Sequence, residues 1–365
     1  MYDLNGLSVP ARSRVVSRRT FQYVTISAMR KAMSILVLLL AALPLAAAGG
    51  LRIYFVDVEG GQATLIVSPS GQSMLVDAGW PVKYGPGAER IAAAAKLAGL
   101  KQIDYMFVTH YHLDHVGGVP ELAARIPIVT YVDHGPNTET DKMARDLEAA
   151  YNQVMAKAKH LVVKPGDRIP IEGLDVEVVE AAGAAISAPV EGGGQANPAC
   201  AGVKPLEADP TENAQSAGFI LRYGKFRFVD LGDLTWNKEM ALACPKNLLG
   251  TVDVYLVDHH GMDISNSPAL VDALHPLVAV MNNGAKKAGM PKAWTVVRDS
   301  PGLEDLWQLH YSLAGGDQHN SPEMFIANPE KGGACQGHWL ELTANADGSF
   351  TIANSRNGFT KAYRR

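Results

Sequence analysis

The chain has 365 residues, of which 47% are hydrophobic and 19% charged, and its formal net charge is -4. That length can bury a large core, while the near-neutral balance gives no global pull towards nucleic acid or an anionic membrane. Heptads, fixed-period repeats and long like-charge blocks are absent from the sequence, which argues against coiled-coil and solenoid architectures.

The first segment reads as targeting sequence. Ile35 to Ala48 is an apolar run preceded by Arg30 and Lys31 and closed by Ala46-Ala47-Ala48. A charged start, a short apolar middle and small residues at the end make a signal peptide; the run is too short to span a bilayer comfortably. Residues 1–50 are therefore expected to be leader and signal peptide, with Met29 or Met33 as alternative starts. Ser17-Arg18-Arg19-Thr20-Phe21 offers a twin-arginine route instead. Either route implies a periplasmic or secreted protein with no transmembrane anchor after cleavage; a lipid-associated N-terminal anchor is the alternative. An exported protein can pair two of its three cysteines, Cys200, Cys244 and Cys335, and leave one thiol.

Residues 51–365 then read as one domain with a C-terminal extension. Leu51 to Val58, Ala63 to Val67 and Ser73 to Val76 are strand-like, with a turn at Pro69-Ser70-Gly71. Glu89 to Leu97 is Ala-rich and helical, and Tyr105 to Val108 is a short apolar strand. Glu139 to Lys159 has helical composition. Asp175 to Val179, Phe219 to Tyr223, Phe226 to Asp230, Val252 to Val257 and Val278 to Met281 read as strands, and Ser267 to Leu274 as a helix. His338 to Thr343 and Ser349 to Ala353 form a hairpin around Asp347-Gly348. Hairpins first, and helices interleaved later, predict an α/β layered domain rather than a doubly wound parallel sheet. Ala181 to Glu212 is rich in Gly, Ala and Pro without periodicity, which reads as a lid or pocket wall, or as a surface insertion.

The chemistry concentrates after the Tyr105 strand, in Thr109-His110-Tyr111-His112-Leu113-Asp114-His115-Val116-Gly117-Gly118. Ligand-type side chains on a strand end and the first turn of a helix can splay around two adjacent points, which suits two metal ions. Two later blocks supply more ligands. Asp233 ends Asp230-Leu231-Gly232-Asp233, where a carboxylate can bridge two cations. His259-His260-Gly261 follows an apolar strand, and one of those histidines is expected to complete the second ion. Asp233 could otherwise cap the following helix, and the histidines could be a hydrogen-bonded core pair. Asp77, in Leu75-Val76-Asp77-Ala78-Gly79, is placed to orient the histidine loop from behind, as is Asp57. His319, in a Gly- and Asn-rich loop, is a candidate for the substrate pocket, with a solvated loop histidine as the alternative; His134, His160, His275 and His338 read as structural. Scattered aromatics give no nucleic-acid stacking platform.

The run His110 to His115 resembles the His-x-His-x-Asp-His motif of the metallo-β-lactamase-fold hydrolases, and the resemblance extends from Leu51 to about Gly284. Within that superfamily, Phe55-Val56-Asp57-Val58-Glu59-Gly60-Gly61-Gln62-Ala63 and His259-His260-Gly261 resemble the DNA-uptake competence-protein and phosphorylcholine-esterase branch. The chain departs from it at Gln62, where the branch has an acid, and at Met290-Pro291, where it often has His-Pro. Around Asn213-x-x-Ser216, where many members carry another histidine ligand, there is none.

The resemblance implies a four-layered αβ/βα sandwich. It implies one ion on His110, His112 and Asp233, and another on Asp114, His115, Asp233 and one of His259 or His260, with His260 favoured as the ligand and His259 then orienting the site or contacting the reacting group. The ions would be divalent and zinc-like, with manganese or iron as competitors. A water bridging them would act as nucleophile. A phosphoester or phosphodiester is the expected substrate; a lactone, β-lactam or other carboxylic ester is the enzyme alternative, and a non-catalytic metal-stabilised binding protein the alternative of another class.

Overall fold

The computed structural model describes residues 49–365 except 333–334. The expected leader, with its apolar run, twin arginines and alternative starts, lies outside the described residues up to Ala48.

The first sheet begins with β1 (Leu51–Phe55), β2 (Thr64–Val67) and β3 (Ser73–Val76), an antiparallel meander. It continues in parallel through β4 (Ile103–Phe107), β5 (Ile128–Asp133) and β6 (Lys159–Val162). In β1 the period-2 pattern of a strand is visible at once: Leu51, Ile53 and Phe55 face one core while Tyr54 faces another. Helices α1 (Gly87–Leu97), α2 (Leu113–Val116), α3 (Val119–Ala123) and α4 (Lys142–Met155) accompany this half. Ile91, Ala94, Ala95, Val119 and Leu122 join Tyr54, Leu65 and Leu75 in a core on the outer face of the sheet. The Asp141 carboxylate accepts from Ala144 N at 2.9 Å and caps α4.

The second sheet is assembled from β7 (Arg168–Ile169), β8 (Asp175–Ala181), β9 (Ala184–Ala185), β11 (Gly218–Tyr223), β12 (Phe226–Asp230), β14 (Val254–Leu256), β15 (Val278–Met281), β16 (Asp305–His310) and β17 (Ile326–Asn328). A separate two-stranded pairing joins β10 (Gln195–Ala196) to β13 (Lys246–Asn247). Pairing is antiparallel through β8, β11 and β12, and parallel from β12 to β17. Helices α5 (Trp236–Ala243), α6 (Pro268–Leu274) and α7 (Pro291–Arg298) cover its outer face, where Val229, Tyr255 and Ala279 pack with Leu242, Leu270 and Val297.

The two sheets pack through their inner faces. Phe55 and Phe107 of the first meet Phe228 and Phe219 of the second, with ring centroids 6.1 and 5.3 Å apart in edge-on geometry, each pair adding about 0.5–1.5 kcal/mol beyond its area burial. Helix, sheet, sheet, helix is the αβ/βα sandwich expected from the sequence. Residues 49–365 form one compact unit, and no helix among the described residues is long and apolar enough to cross a membrane.

Several elements differ from the sequence reading. The segment 139–159 is helical only over Lys142–Met155, and Lys159 already begins β6. Strands β5, β16 and β17 and helix α7 emerge where no period was legible. The C-terminal hairpin, β18 (Leu340–Ala344) and β19 (Phe350–Asn354), adds to the first sheet: β18 pairs antiparallel with β1, and β20 (Thr360–Tyr363) extends the edge. Ala181 to Glu212 carries β9, β10 and a 3-10 turn at Pro198–Gly202, and Cys200 is disulfide-bonded to Cys244, leaving Cys335 free.

Candidate metal centre

The chemistry-bearing residues follow the C-terminal ends of parallel neighbours in each sheet, where strands release the chain and side chains from different loops can converge. Asp77 follows β3, His110 to His115 follow β4, Asp233 follows β12, and His259 and His260 follow β14. Gly232 lets the Asp233 loop approach the first sheet. Its φ is +62°, and a Cβ there would lie 2.8 Å from Thr109 Cβ, so only glycine fits without displacing the histidine loop. His259 and His260 both occupy the left-handed region, with φ of 52° and 55°. Two consecutive non-glycine residues held there store strain of the kind found at functional sites.

The fold brings His110, His112, Asp114, His115, Asp233, His259 and His260 together. His110 Nε2 lies 3.0 Å from His112 Nδ1, and His115 Nε2 lies 3.2 Å from His260 Nε2. Asp233 stands among them: Oδ2 is 3.2 Å from His115 Nε2, 3.3 Å from His259 Nε2 and 4.0 Å from His110 Nε2, while Oδ1 is 3.3 Å from His260 Nε2. Asp114 Oδ2 is 3.4 Å from His115 Nε2 and 3.3 Å from His260 Nε2. Asp114, His115, Asp233 and His260 present four ligand atoms within 4.8 Å of one another, and all four residues are buried.

What holds the rings decides which nitrogens are bare. Asp77 accepts from His115 Nδ1 at 2.6 Å, from Thr109 N at 2.8 Å and from Thr109 Oγ1 at 2.7 Å. Glu139 accepts from His112 Nε2 at 3.1 Å. His110 Nδ1 is 3.0 Å from Thr109 Oγ1, whose own proton goes to Asp77, so the ring donates. With the outer N–H groups engaged, the inner nitrogens of His110 and His112 carry lone pairs, and that of His115 would do so once a cation replaced its proton. Lone pairs therefore face each other between His110 and His112, and Asp233 Oδ1 is buried with no hydrogen-bond partner. An electron-rich assembly of this kind, desolvated, is stable only around positive charge. The donor set, imidazole and carboxylate, suits divalent zinc, manganese or iron.

The titration behaviour has the same origin. Burial alone would raise the Asp114 and Asp233 carboxyls, but neighbouring His115, with Lys287 at Asp114 and His259 and His260 at Asp233, holds both well below the usual range. Burial disfavours a charged His115, yet Asp233, Asp114 and Asp77 outweigh it and keep the ring protonated well above its usual pKa. Burial, with the nearby His115 charge, pushes His110 well down, and burial brings His259 to about 4.

The structure also supplies residues that the sequence did not single out. Glu139 is held to Glu212, whose N–H donates to Glu139 Oε1 at 3.1 Å. Glu212 itself accepts from His134 Nε2 at 2.9 Å and from Thr138 N and Oγ1, both at 2.6 Å. Ser265 Oγ lies 3.2 Å from His259 Nδ1, and Lys287 Nζ pairs with the Asp114 carboxylate. None sits in a spaced motif, although Thr109, immediately before His110, was within reach of a sequence argument. Ser216, in the region lacking a histidine, places Oγ 3.4 Å from His110 Nδ1. Gln62, the departure from the acidic branch residue, donates its amide to both oxygens of Asp230 at 3.0 and 2.9 Å; burial raises that carboxyl to about 7, and a second acid beside it would add repulsion.

Asp57 stands apart from the histidine–aspartate cluster. It accepts from Arg90 and His310 at 2.7 Å each, from Glu59 N at 2.8 Å and from Cys335 Sγ at 3.0 Å. It ties the C-terminal segment to the loop after β1. His319 packs on Trp294, ring centroids 5.6 Å apart, with Nδ1 3.3 Å from Gly315 O.

Residues 56–191 match the family model described as Metallo-beta-lactamase superfamily. A hydroxyacylglutathione hydrolase from Stenotrophomonas maltophilia (strain R551-3) is 31% identical over 96 residues, which cover 26% of this chain and 36% of that relative; the similarity thus spans about a third of the relative's length. Among solved structures, the metallo-beta-lactamase fold protein YhfI from Bacillus subtilis superposes with a TM-score of 0.44 at 10% identity, covering 71% of this chain and 96% of its own. CmlA, a diiron beta-hydroxylase from Streptomyces venezuelae, gives 0.40 at 15% identity, covering 70% and 48%. The sequence similarity to the metallo-β-lactamase superfamily thus covers residues 56–191, a stretch that contains the run His110 to His115.

Proposed function

We propose that the protein is an exported binuclear metallohydrolase acting on a phosphoester or phosphodiester, of the competence-protein and phosphorylcholine-esterase kind. The observation that supports the binuclear reading is that Asp114, His115, Asp233 and His260 present four ligand atoms within 4.8 Å of one another, while a further pair, His110 and His112, lies 3.0 Å apart beside the same carboxylate. His110 and His112 would hold one ion and Asp114, His115 and His260 the other, with Asp233 between them. His259, whose Nε2 reaches Asp233 Oδ2 at 3.3 Å, would complete the first group, where Ser216 stands in place of a further histidine. Both histidines of the pair are then ligands.

Two such ions would activate a water and polarise the scissile group. The chain's own contribution is positional. Asp77 and Glu139 hold His115 and His112 with their bare nitrogens inward, so little reorganisation is needed when the transition state forms. Zinc fits the donor set best. The Asp-Val-Glu-Gly-Gly-Gln-Ala loop and the His259-His260-Gly261 corner favour the phosphoester assignment.

The carboxylic-ester alternative rests on one observation, the partial similarity to a hydroxyacylglutathione hydrolase. Purified protein loaded with zinc or manganese is expected to cleave bis(4-nitrophenyl) phosphate, and Asp114→Ala or His115→Ala to abolish that cleavage while remaining folded. Turnover of lactones or thioesters with no cleavage of any phosphoester overturns the substrate assignment; full activity in either variant overturns the metal assignment.

A further inference from the structure

Lys287 is the cation of the described residues that touches the proposed metal centre, and the sequence gives no motif for it. It ends a tight turn, Gly284 to Lys287, in which Gly284 N donates to Lys287 O at 3.0 Å. That turn is stacked on the Glu59-Gly60-Gly61-Gln62 loop. A Cβ on Gly284 would lie 2.9 Å from Glu59 O, and a Cβ on Gly61 would lie 2.4 Å from Asp114 O. Gly61 is required because any side chain there would collide with the backbone of a ligand residue. Gln62 N then donates to Asp114 O at 3.1 Å and locks the stack. The result aims Lys287 Nζ at the Asp114 carboxylate, with the Trp80 ring beneath it, 5.0 Å from Nζ to the centroid.

The lysine is not sealed in. Its side chain is 30% exposed and lines a cavity of about 260 Å³ together with Glu59, Lys286, His310 and Glu330. Glu59 is already paired with Arg90 at 3.2 Å. That leaves two lysines against the Glu330 carboxylate in the cavity lining, and of these Lys287 is the one that reaches Asp114.

We propose that Lys287 is a substrate-binding residue that takes an anionic oxygen of the substrate, a phosphoryl oxygen, beside the ions. The proposal rests on the metallohydrolase reading above. Once a divalent ion neutralises Asp114, the ammonium loses its main anionic partner. It stays beside like charge favourably only if an anion enters between them. Trp80 keeps the ammonium in place through the ring face, and its remaining N–H groups are free to donate. A neutral ester would leave that charge uncompensated, so the centre discriminates in favour of anionic substrates.

The test uses the metal-loaded full chain and the variants Lys287→Met and Lys287→Arg, with metal content measured in each. Inorganic phosphate is titrated into each protein by calorimetry, and hydrolysis of bis(4-nitrophenyl) phosphate is compared with that of uncharged 4-nitrophenyl acetate. Lys287→Met is expected to weaken phosphate binding about tenfold or more, the usual effect of losing a hydrogen bond to a charged group, with Lys287→Arg restoring most of it. The anionic ester's kcat/KM is expected to fall, through KM, about tenfold further than the neutral ester's. Unchanged phosphate affinity in Lys287→Met, equal losses on both esters, or no phosphate binding by the parent protein would each overturn the assignment. Phosphate binding that depends on Lys287 in a protein that cleaves no phosphoester would retain the lysine's role and sink the phosphoester reading instead.

Discussion

Asp77 accepts the Nδ1 proton of His115 at 2.6 Å while its own backbone sits at φ 58°, in the left-handed region. The strained position turns the carboxylate back under the histidine loop, where it also takes both donors of Thr109. One side chain thus sets the orientation of His115 and, through Thr109, of His110. Asp77→Asn tolerates the same backbone and nearly preserves volume, but its amide group would face N–H and O–H donors. Metal affinity is expected to fall about 10–100-fold with an unchanged far-UV circular dichroism spectrum. Competition with a chelating dye reads the affinity, and parental affinity in the variant would refute the orienting role.

His259 and His260 address opposite oxygens of Asp233, which makes them separable. His259→Asn, chosen because asparagine accepts the left-handed backbone, should lower bound metal from about two equivalents to about one, since one ligand group keeps its full set of donors. Retention of both ions would return His259 to the role of a contact for the reacting group.

Glu180 gives a pH signature outside the centre. It is fully buried on β8 with neither carboxyl oxygen hydrogen-bonded, and burial, opposed weakly by Lys238, raises its pKa to about 8. Between the ordinary carboxyl range and pH 8 the folded state keeps a proton that the unfolded state has lost. Stability therefore falls as pH rises through that window and is flat below it. Glu180→Gln removes the charge and is expected to stabilise the fold by on the order of 3 kcal/mol at pH 8 and by little at pH 4.5. Urea unfolding at the two pH values measures this; an equal effect at both would show that the carboxyl is not protonated in the fold.

Much of the candidate site was legible because its histidines and aspartates cluster in sequence. His110 to His115 fall on one strand end and the turn after it, and Asp233 and His259-His260 each end an apolar strand, so local pattern alone located them. The residues that orient those side chains were not legible for the converse reason. Glu139 reaches His112 across 27 positions and Lys287 reaches Asp114 across 173, and no local period records such contacts. Asp77 was the exception, because it too ends a strand. The same distinction applies to the fold. Strands with alternating or continuous apolar runs, such as Leu51–Phe55 and Phe226–Asp230, announced themselves. Lys159–Val162 did not: it is a short edge strand with all four residues exposed, and it carries no burial pattern to read. Asp57 was expected to orient the histidine loop from behind, yet its partners Arg90, His310 and Cys335 come from three distant segments, and they make it a tether rather than a support for the histidines.

The central claim is that these donors hold two ions about Asp233. Its most direct test is the metal content of the purified full chain by mass spectrometry, after dialysis against zinc and then against buffer, beside Asp233→Ala. About two equivalents per chain in the parent, and a loss of most of both in the variant, is the result expected of a bridging carboxylate. No retained metal in the parent, or two equivalents undiminished in Asp233→Ala, would contradict it.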